Sequence, residues 1–329
     1  MKNCNNIKIY CLITGGLGNQ LFQISKLLDM IASIEVTNLN VNFLVSYEAT
    51  KNEPEPAVFE LINFEEIGLR FKVFYLKGYR KRLIHLILRM KLINSKLIVK
   101  NRSEICYGIL NFIISSFGKI IKLRIIGDNN SYIGLSTKHT NLLTGYFQDH
   151  SHTNEMVRLF PQIVDKKFAK FLEFDDKNGF DVAVHLRLGD YVKFSKELGV
   201  LSKEYYDSLL IKIFGIASHN QKLFIFTNDV SQSSDILSSK VFKNSVILSP
   251  QELSTIETLL WMSKSKIFIM ANSSLSWWAA RLKINKELVA YCPYPWFRTE
   301  YFSESLYDDE WIKTESYWAT FDYRDQYEH

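Results

Sequence analysis

His185, Arg187 and Asp190 fall within one short stretch, His185-Leu186-Arg187-Leu188-Gly189-Asp190-Tyr191. Each brings different chemistry. A guanidinium is always charged and forks onto two oxygens, which suits a phosphate. A carboxylate three residues on can take up a proton or hold the guanidinium in place. A neutral imidazole can hydrogen-bond a nucleobase or sugar. The bland alternative is a strand end carrying a solvated Arg–Asp pair and a structural histidine.

Asp181-Val182-Ala183-Val184 is a short apolar run led by β-branched residues, the pattern of a buried strand. His185 and Arg187 are two apart and share one side of an extended backbone. Gly189 then allows a sharp turn. Charged residues at the carboxyl end of a buried strand are where α/β proteins place ligands.

Three more polar clusters follow predicted strands in the second half. Asn228-Asp229 ends Lys222–Thr227, Asn272-Ser273-Ser274-Leu275-Ser276 follows Lys266–Ala271, and Pro293–Phe297 follows Glu287–Tyr291, expected to be the last strand. The serine hydroxyls and the free amides of a helix start suit phosphate or ribose oxygens. Near the amino terminus, Ile7–Ile13 reads as a strand, Leu21–Ser33 as a helix, and Gly15-Gly16-Leu17-Gly18-Asn19-Gln20 as the turn between them. That arrangement gathers anions, although Leu21 stands where a dinucleotide fingerprint needs its third glycine, and no Walker lysine follows.

Strands alternating with helices predict an α/β fold of two Rossmann-like domains. The domain change is placed after Leu143–Asp149, giving domains 1–150 and 151–329, with His150–Phe174 as a helix leading into the second, Pro161 near a turn, and the aromatic, acidic tail 300–329 packing back.

A chain of 329 residues with net charge +5 accommodates two domains and an anionic ligand, and is too weakly basic for a nucleic-acid partner. Its four cysteines form no metal-type pair. No signal peptide or spanning segment is visible, so a cytoplasmic protein is expected. Lys77–Arg102 holds nine basic residues and no acid, interleaved with leucine and isoleucine. It reads as a solvated helix with one face in the core, or as a peripheral contact with an anionic membrane. Asp308-Asp309 reads as a surface pair.

Taken in order, Gly15–Gln23, Gly145-Tyr146-Phe147-Gln148, His185–Tyr191, Ala271–Trp278 and Pro295-Trp296-Phe297 resemble glycosyltransferase family 11, the α-1,2-fucosyltransferases, in bacterial form. The resemblance implies a GT-B arrangement, two Rossmann-like domains facing across a cleft. It implies GDP-β-L-fucose as donor, held by the C-terminal domain, and an oligosaccharide or lipid-linked glycan acceptor on the N-terminal domain. Fucose would pass with inversion to the 2-hydroxyl of a terminal β-galactose, without cofactor or metal, in surface polysaccharide or O-antigen synthesis. Arg187 is expected to meet the charge on the β-phosphate, with Asp190 as base or buttress. Gly16, Gly18, Asn19, Gln20, His185, Asn228, Asp229, Asn272, Ser273, Ser274 and Ser276 are expected to bind substrate.

Three positions depart from the family pattern. Leu188 replaces a second arginine, Asn228 replaces an aspartate, and Thr258 replaces an acid that related enzymes set on the guanine edge, leaving Glu257 as its substitute. Another GDP-sugar linkage, a silent nucleotide- or glycan-binding module, and a nicotinamide oxidoreductase compete with this reading.

Overall fold

The computed structural model describes residues 7–34, 39–46, 49–50, 55–76, 123–128, 133–173, 181–215, 223–243, 245–299 and 304–320. The basic stretch 77–102 lies outside the described residues, as does most of the apolar stretch 111–126. The chain forms two compact units, residues 1–148 with 152–163, and 149–151 with 164–329.

The first unit contains β1 (Ile7–Ile13), α1 (Leu17–Ala32), β2 (Leu39–Val45), α2 (Ala57–Leu61), β3 (Phe71–Tyr75), β4 (Leu123–Ile126), β5 (Thr140–Leu143) and α3 (Asn154–Ile163). Its sheet runs β3-β2-β1-β5-β4, every pair parallel, with Ile7 opposite Leu39 and Ile13 opposite Val45. β1 lies centrally, so Ile7, Ile9, Cys11 and Ile13 are all fully covered, as parallel sheets require. The chain winds outward from β1 through β2 and β3, then returns on its other side. The ends of β1 and β5 are thus a topological switch point, where open α/β sheets bind ligands.

α3 was expected to lead into the second half, with Pro161 near a turn. It belongs to the first unit, burying Met156, Phe160 and Ile163, which lie on one helical face. Pro161 lies inside it, where its nitrogen has no hydrogen to donate to the carbonyl of Val157.

The second unit contains β6 (Val182–Leu186), α4 (Asp190–Lys193), α5 (Lys203–Phe214), β7 (Leu223–Thr227), α6 (Ser234–Leu237), β8 (Val246–Leu248), α7 (Thr255–Met262), β9 (Ile267–Ile269), α8 (Ser274–Leu282), β10 (Val289–Tyr294) and β11 (Ile312–Glu315). The sheet order is β11-β10-β9-β6-β7-β8, again wholly parallel. The winding reverses between β6 and β9, which places a second switch point at the ends of those strands.

Two expectations about the second unit need correction. β10 is not the last strand, because β11 pairs beside it in the tail. Asp308 is no surface residue: its side chain is 13% exposed and takes a 2.6 Å ion pair from Arg281 of α8. The tail is held further by Trp277, whose indole N–H donates to the Leu306 carbonyl at 2.5 Å.

Gln20, expected to bind substrate, holds the first unit together. Its amide nitrogen donates to the carbonyls of Gly15 (2.8 Å) and Ala49 (3.4 Å), and its oxygen accepts the Val58 N–H at the start of α2 (3.0 Å). Gln20→Met retains the bulk but strands those groups, and is expected to lower unfolding stability by about 2 kcal/mol, read from the urea midpoint.

Candidate active site

Four loops meet at the carboxyl edge of the second unit's sheet. His185 is the fourth residue of fully buried β6. Its Nδ1 hydrogen-bonds Ser276 Oγ of α8 at 2.5 Å, and that same oxygen accepts the Ala271 N–H at 3.1 Å. Its backbone carbonyl accepts the Tyr206 hydroxyl of α5. Burial, reinforced by the Arg187 charge, lowers the His185 pKa from 6.5 to about 3. The ring is therefore neutral at physiological pH and cross-links β6 to α8.

Arg187 emerges one strand-residue pair further along. Its Nη2 donates to Asp190 Oδ1 at 2.8 Å, and its guanidinium lies 5.0 Å from the centre of the Tyr191 ring. Its Nε is buried and has no hydrogen-bond partner among the described residues. A buried donor without a partner is costly unless a ligand meets it. Asp190, 62% exposed, is thus placed as the buttress of Arg187.

Gly189 makes the turn possible. Its φ of +63° suits glycine, and a Cβ there would lie 2.6 Å from Asn228 Nδ2. Asn228 uses its side-chain amide twice on one residue, accepting the Leu188 N–H at 2.8 Å and donating to the Leu188 carbonyl at 3.2 Å. Gln232 accepts the next N–H, that of Gly189. Asp229 folds the turn carrying Gln232: it accepts from Ser231 Oγ and the Gln232 N–H, bonds that hold its carboxyl below the usual range. Asn228 and Asp229 therefore shape the Arg187 loop from β7.

Asn272 does the same from β9, donating to the carbonyls of Leu198 and Gly199. Ser273 is the N-cap of α8 and accepts the Leu275 N–H; Ser274 is the first residue of that helix. Glu257 closes a capping box with Ser254 at the start of α7, and the Ser254 N–H and hydroxyl hold its carboxyl low. Leu188 is buried with Val192 and Val200, against Tyr191 and Ala319, so the position that departs from arginine packs the loop onto the tail.

The first unit presents its own loops at its sheet's carboxyl edge. Gly16 is exposed and precedes α1, while Gly18 is buried within the first turn. Asn19 Oδ1 accepts from Gln148 Nε2 at 2.9 Å. Gln23, 0% exposed, accepts the Thr14 N–H and donates to the Gly145 carbonyl, tying the two motif loops together. The roles of Gln23 and the Leu198–Gly199 loop were not read from the sequence. A buried glutamine on an apolar helix face was the one available signal.

Among the described residues, no three or more His, Cys, Asp or Glu side chains gather to hold a metal, and no helix is long and apolar enough to cross a membrane.

Both parallel sheets gather polar loops at their carboxyl edges, and the second carries an arginine with an orphaned buried donor. The chain matches Glycosyl transferase family 11 over residues 8–315, and it belongs to that family of glycosyltransferases. It is 29% identical over 257 residues to an alpha-1,2-colitosyltransferase of Escherichia coli, covering 73% of this chain and 87% of the relative. It is 26% identical over 321 residues to the O-antigen biosynthesis glycosyltransferase WbnK of E. coli, covering 92% and 99%. Among solved structures it is similar to the fucosyltransferase NodZ from Bradyrhizobium, at TM-score 0.45 and 10% identity over 84% of this chain and 93% of that one.

The neutral His185 carries a pH signature. Below 6.5 the unfolded chain takes up a proton that the folded chain refuses until about pH 3. The associated stability is therefore complete above 6.5 and lost as pH falls toward 3. Wild type is expected to lose up to about 1.4 kcal/mol more per pH unit in this window than His185→Gln, measured by urea unfolding from pH 7 to 5.

Proposed function

We propose that this glycosyltransferase moves fucose from GDP-β-L-fucose to the 2-hydroxyl of a terminal β-galactose, with inversion and without a metal, in O-antigen synthesis at the cytoplasmic side of the inner membrane. The observation that carries the reading is Arg187, whose buried Nε lacks a partner and whose planar fork is steadied by Asp190 and Tyr191. The family assignment, and the α-1,2 linkage and O-antigen pathway in the relatives' names, support the rest.

In this reaction the acceptor oxygen bonds to the anomeric carbon as the carbon–phosphate oxygen bond breaks. Negative charge grows on the departing β-phosphate. Arg187 neutralises it through preorganised hydrogen bonds, joined by the α8 amino-terminal amides behind Ser273 and Ser274. His185 and Ser276 hold β6 and α8 in register, so that these donors do not reorganise during the step. Asn272 and Asn228 fix the loop from either side. Gly16, Gly18 and Asn19 offer a second set of loop groups for substrate oxygens.

A second reading, transfer of colitose in place of fucose, is favoured by the name of one relative. The deciding measurement is acceptor-dependent GDP release from each activated sugar with a panel of β-galactosides and EDTA present. The expected result is turnover with GDP-fucose that survives EDTA and falls 10²–10³-fold in Arg187→Ala. Arg187→Lys is expected to lose most of its activity as well, because an ammonium cannot fork onto two oxygens. Near-normal turnover by Arg187→Lys would sink the phosphate assignment.

A further inference from the structure

The carboxyl ends of β6 and β9 carry the Arg187 loop and the loop that opens α8. The last paired residues of these two strands are Val184 and Ile269. Beyond them the chain runs through His185 on one side and Met270 on the other before each loop begins. Met270 and Ala271 are buried, so the peptide group between them must find its partners inside the protein.

Consecutive tyrosines of α5 reach both strand ends. The Tyr205 hydroxyl donates to the Met270 carbonyl at 3.2 Å, and the Tyr206 hydroxyl to the His185 carbonyl at 3.1 Å. Both rings are buried and meet edge to face, with their centres 5.0 Å apart. Burial pushes both phenols upward, so each remains protonated and able to donate. Val182, Val184 and Leu186 share a core with these rings, so His185, one residue out of step, faces the other side of the sheet. There Ser276 of α8 hydrogen-bonds its Nδ1, and the same oxygen accepts the Ala271 N–H. The peptide between Met270 and Ala271 is therefore held at its carbonyl by α5 and at its N–H by α8. His185 is held at its carbonyl by α5 and at its ring by α8.

We infer that Tyr205 and Tyr206 are positioning residues for glycosyl transfer, fixing the ends of β6 and β9 from which the Arg187 loop and the α8 loop depart; this rests on the phosphate role of Arg187 given above. The bonds close a ring. From Tyr205 it runs through the Met270–Ala271 peptide, Ser276 and His185 to Tyr206, and the α5 backbone joins the two tyrosines. Breaking it at any one point lets the two strand ends shift against each other. Donors to a departing phosphate help only when they are already in place, so a small shift between the two loops lowers the rate.

Tyr205→Phe and Tyr206→Phe keep the aromatic ring and remove only the hydroxyl. The test compares transfer kinetics and amide hydrogen exchange in the full-length wild type, both single variants and the double variant. Expected is a fall in kcat of about tenfold in each single variant, with the acceptor KM within about twofold of wild type. Exchange is expected to quicken at both 186–189 and 271–276 in either single variant, and to stay unchanged in β7. The double variant is expected to fall little further than a single one, since one break already opens the ring. A kcat within about twofold of wild type in both single variants, exchange that rises evenly across the second unit, or a double variant at the product of the two singles would overturn the assignment. A wild type inactive with every sugar donor would instead take down the functional reading, and the role in transfer with it.

Discussion

The side-chain amide is the group on which both ligand edges depend. A loop that leaves a buried parallel strand carries peptide groups that can no longer pair with the sheet, and water reaches few of them. A primary amide answers both halves of that need, since it donates and accepts at once. Asn228 closes on both polar groups of Leu188, and Asn272 takes two successive carbonyls at Leu198 and Gly199. Gln20 and Gln23 do the equivalent work around the glycine loop. Preorganisation of charged donors such as Arg187 is only as good as the backbone that carries them, and here that backbone is fixed by uncharged groups.

This explains what could be read from the chain and what could not. The strands of the second unit announce themselves as apolar runs, because a parallel strand is covered on both faces. Their polar ends mark the ligand edge equally clearly. The same logic recovers β1 and its glycine turn. It does not separate a polar residue that touches substrate from one that props up the loop beside it, because both are asparagines, glutamines and serines in the same few positions. Gln20, Asn228 and Asn272 stand in ligand-edge motifs, yet their hydrogen bonds are taken by the protein itself, as is that of the Asn19 side-chain oxygen.

The departures from the family pattern become intelligible in the same terms. Leu188 does not leave a hole in a charged pocket; its side chain turns inward and joins Val192 and Val200 under the tail. Arg187 therefore stands without a neighbouring guanidinium at that position, and a like charge that would compete for Asp190 is absent. Glu257, beside Thr258, has its carboxylate drawn to Ser254, so it serves the helix start.

The tail has a consequence for how the protein is made. Val200–Ser202, just past the Arg187 loop, is laid against Tyr317–Ala319: Leu201 bridges Trp318, Ser202 N–H donates to the Tyr317 carbonyl, and Ala319 N–H to that of Val200. The first unit holds all its own strands and helices once residue 163 has been synthesised. The segment that follows the Arg187 loop cannot be paired until residues 317–319 have been translated. A nascent chain that stops short of Tyr317 thus lacks the strand partner of Val200–Ser202, so the order of synthesis itself delays completion of the segment behind the arginine loop.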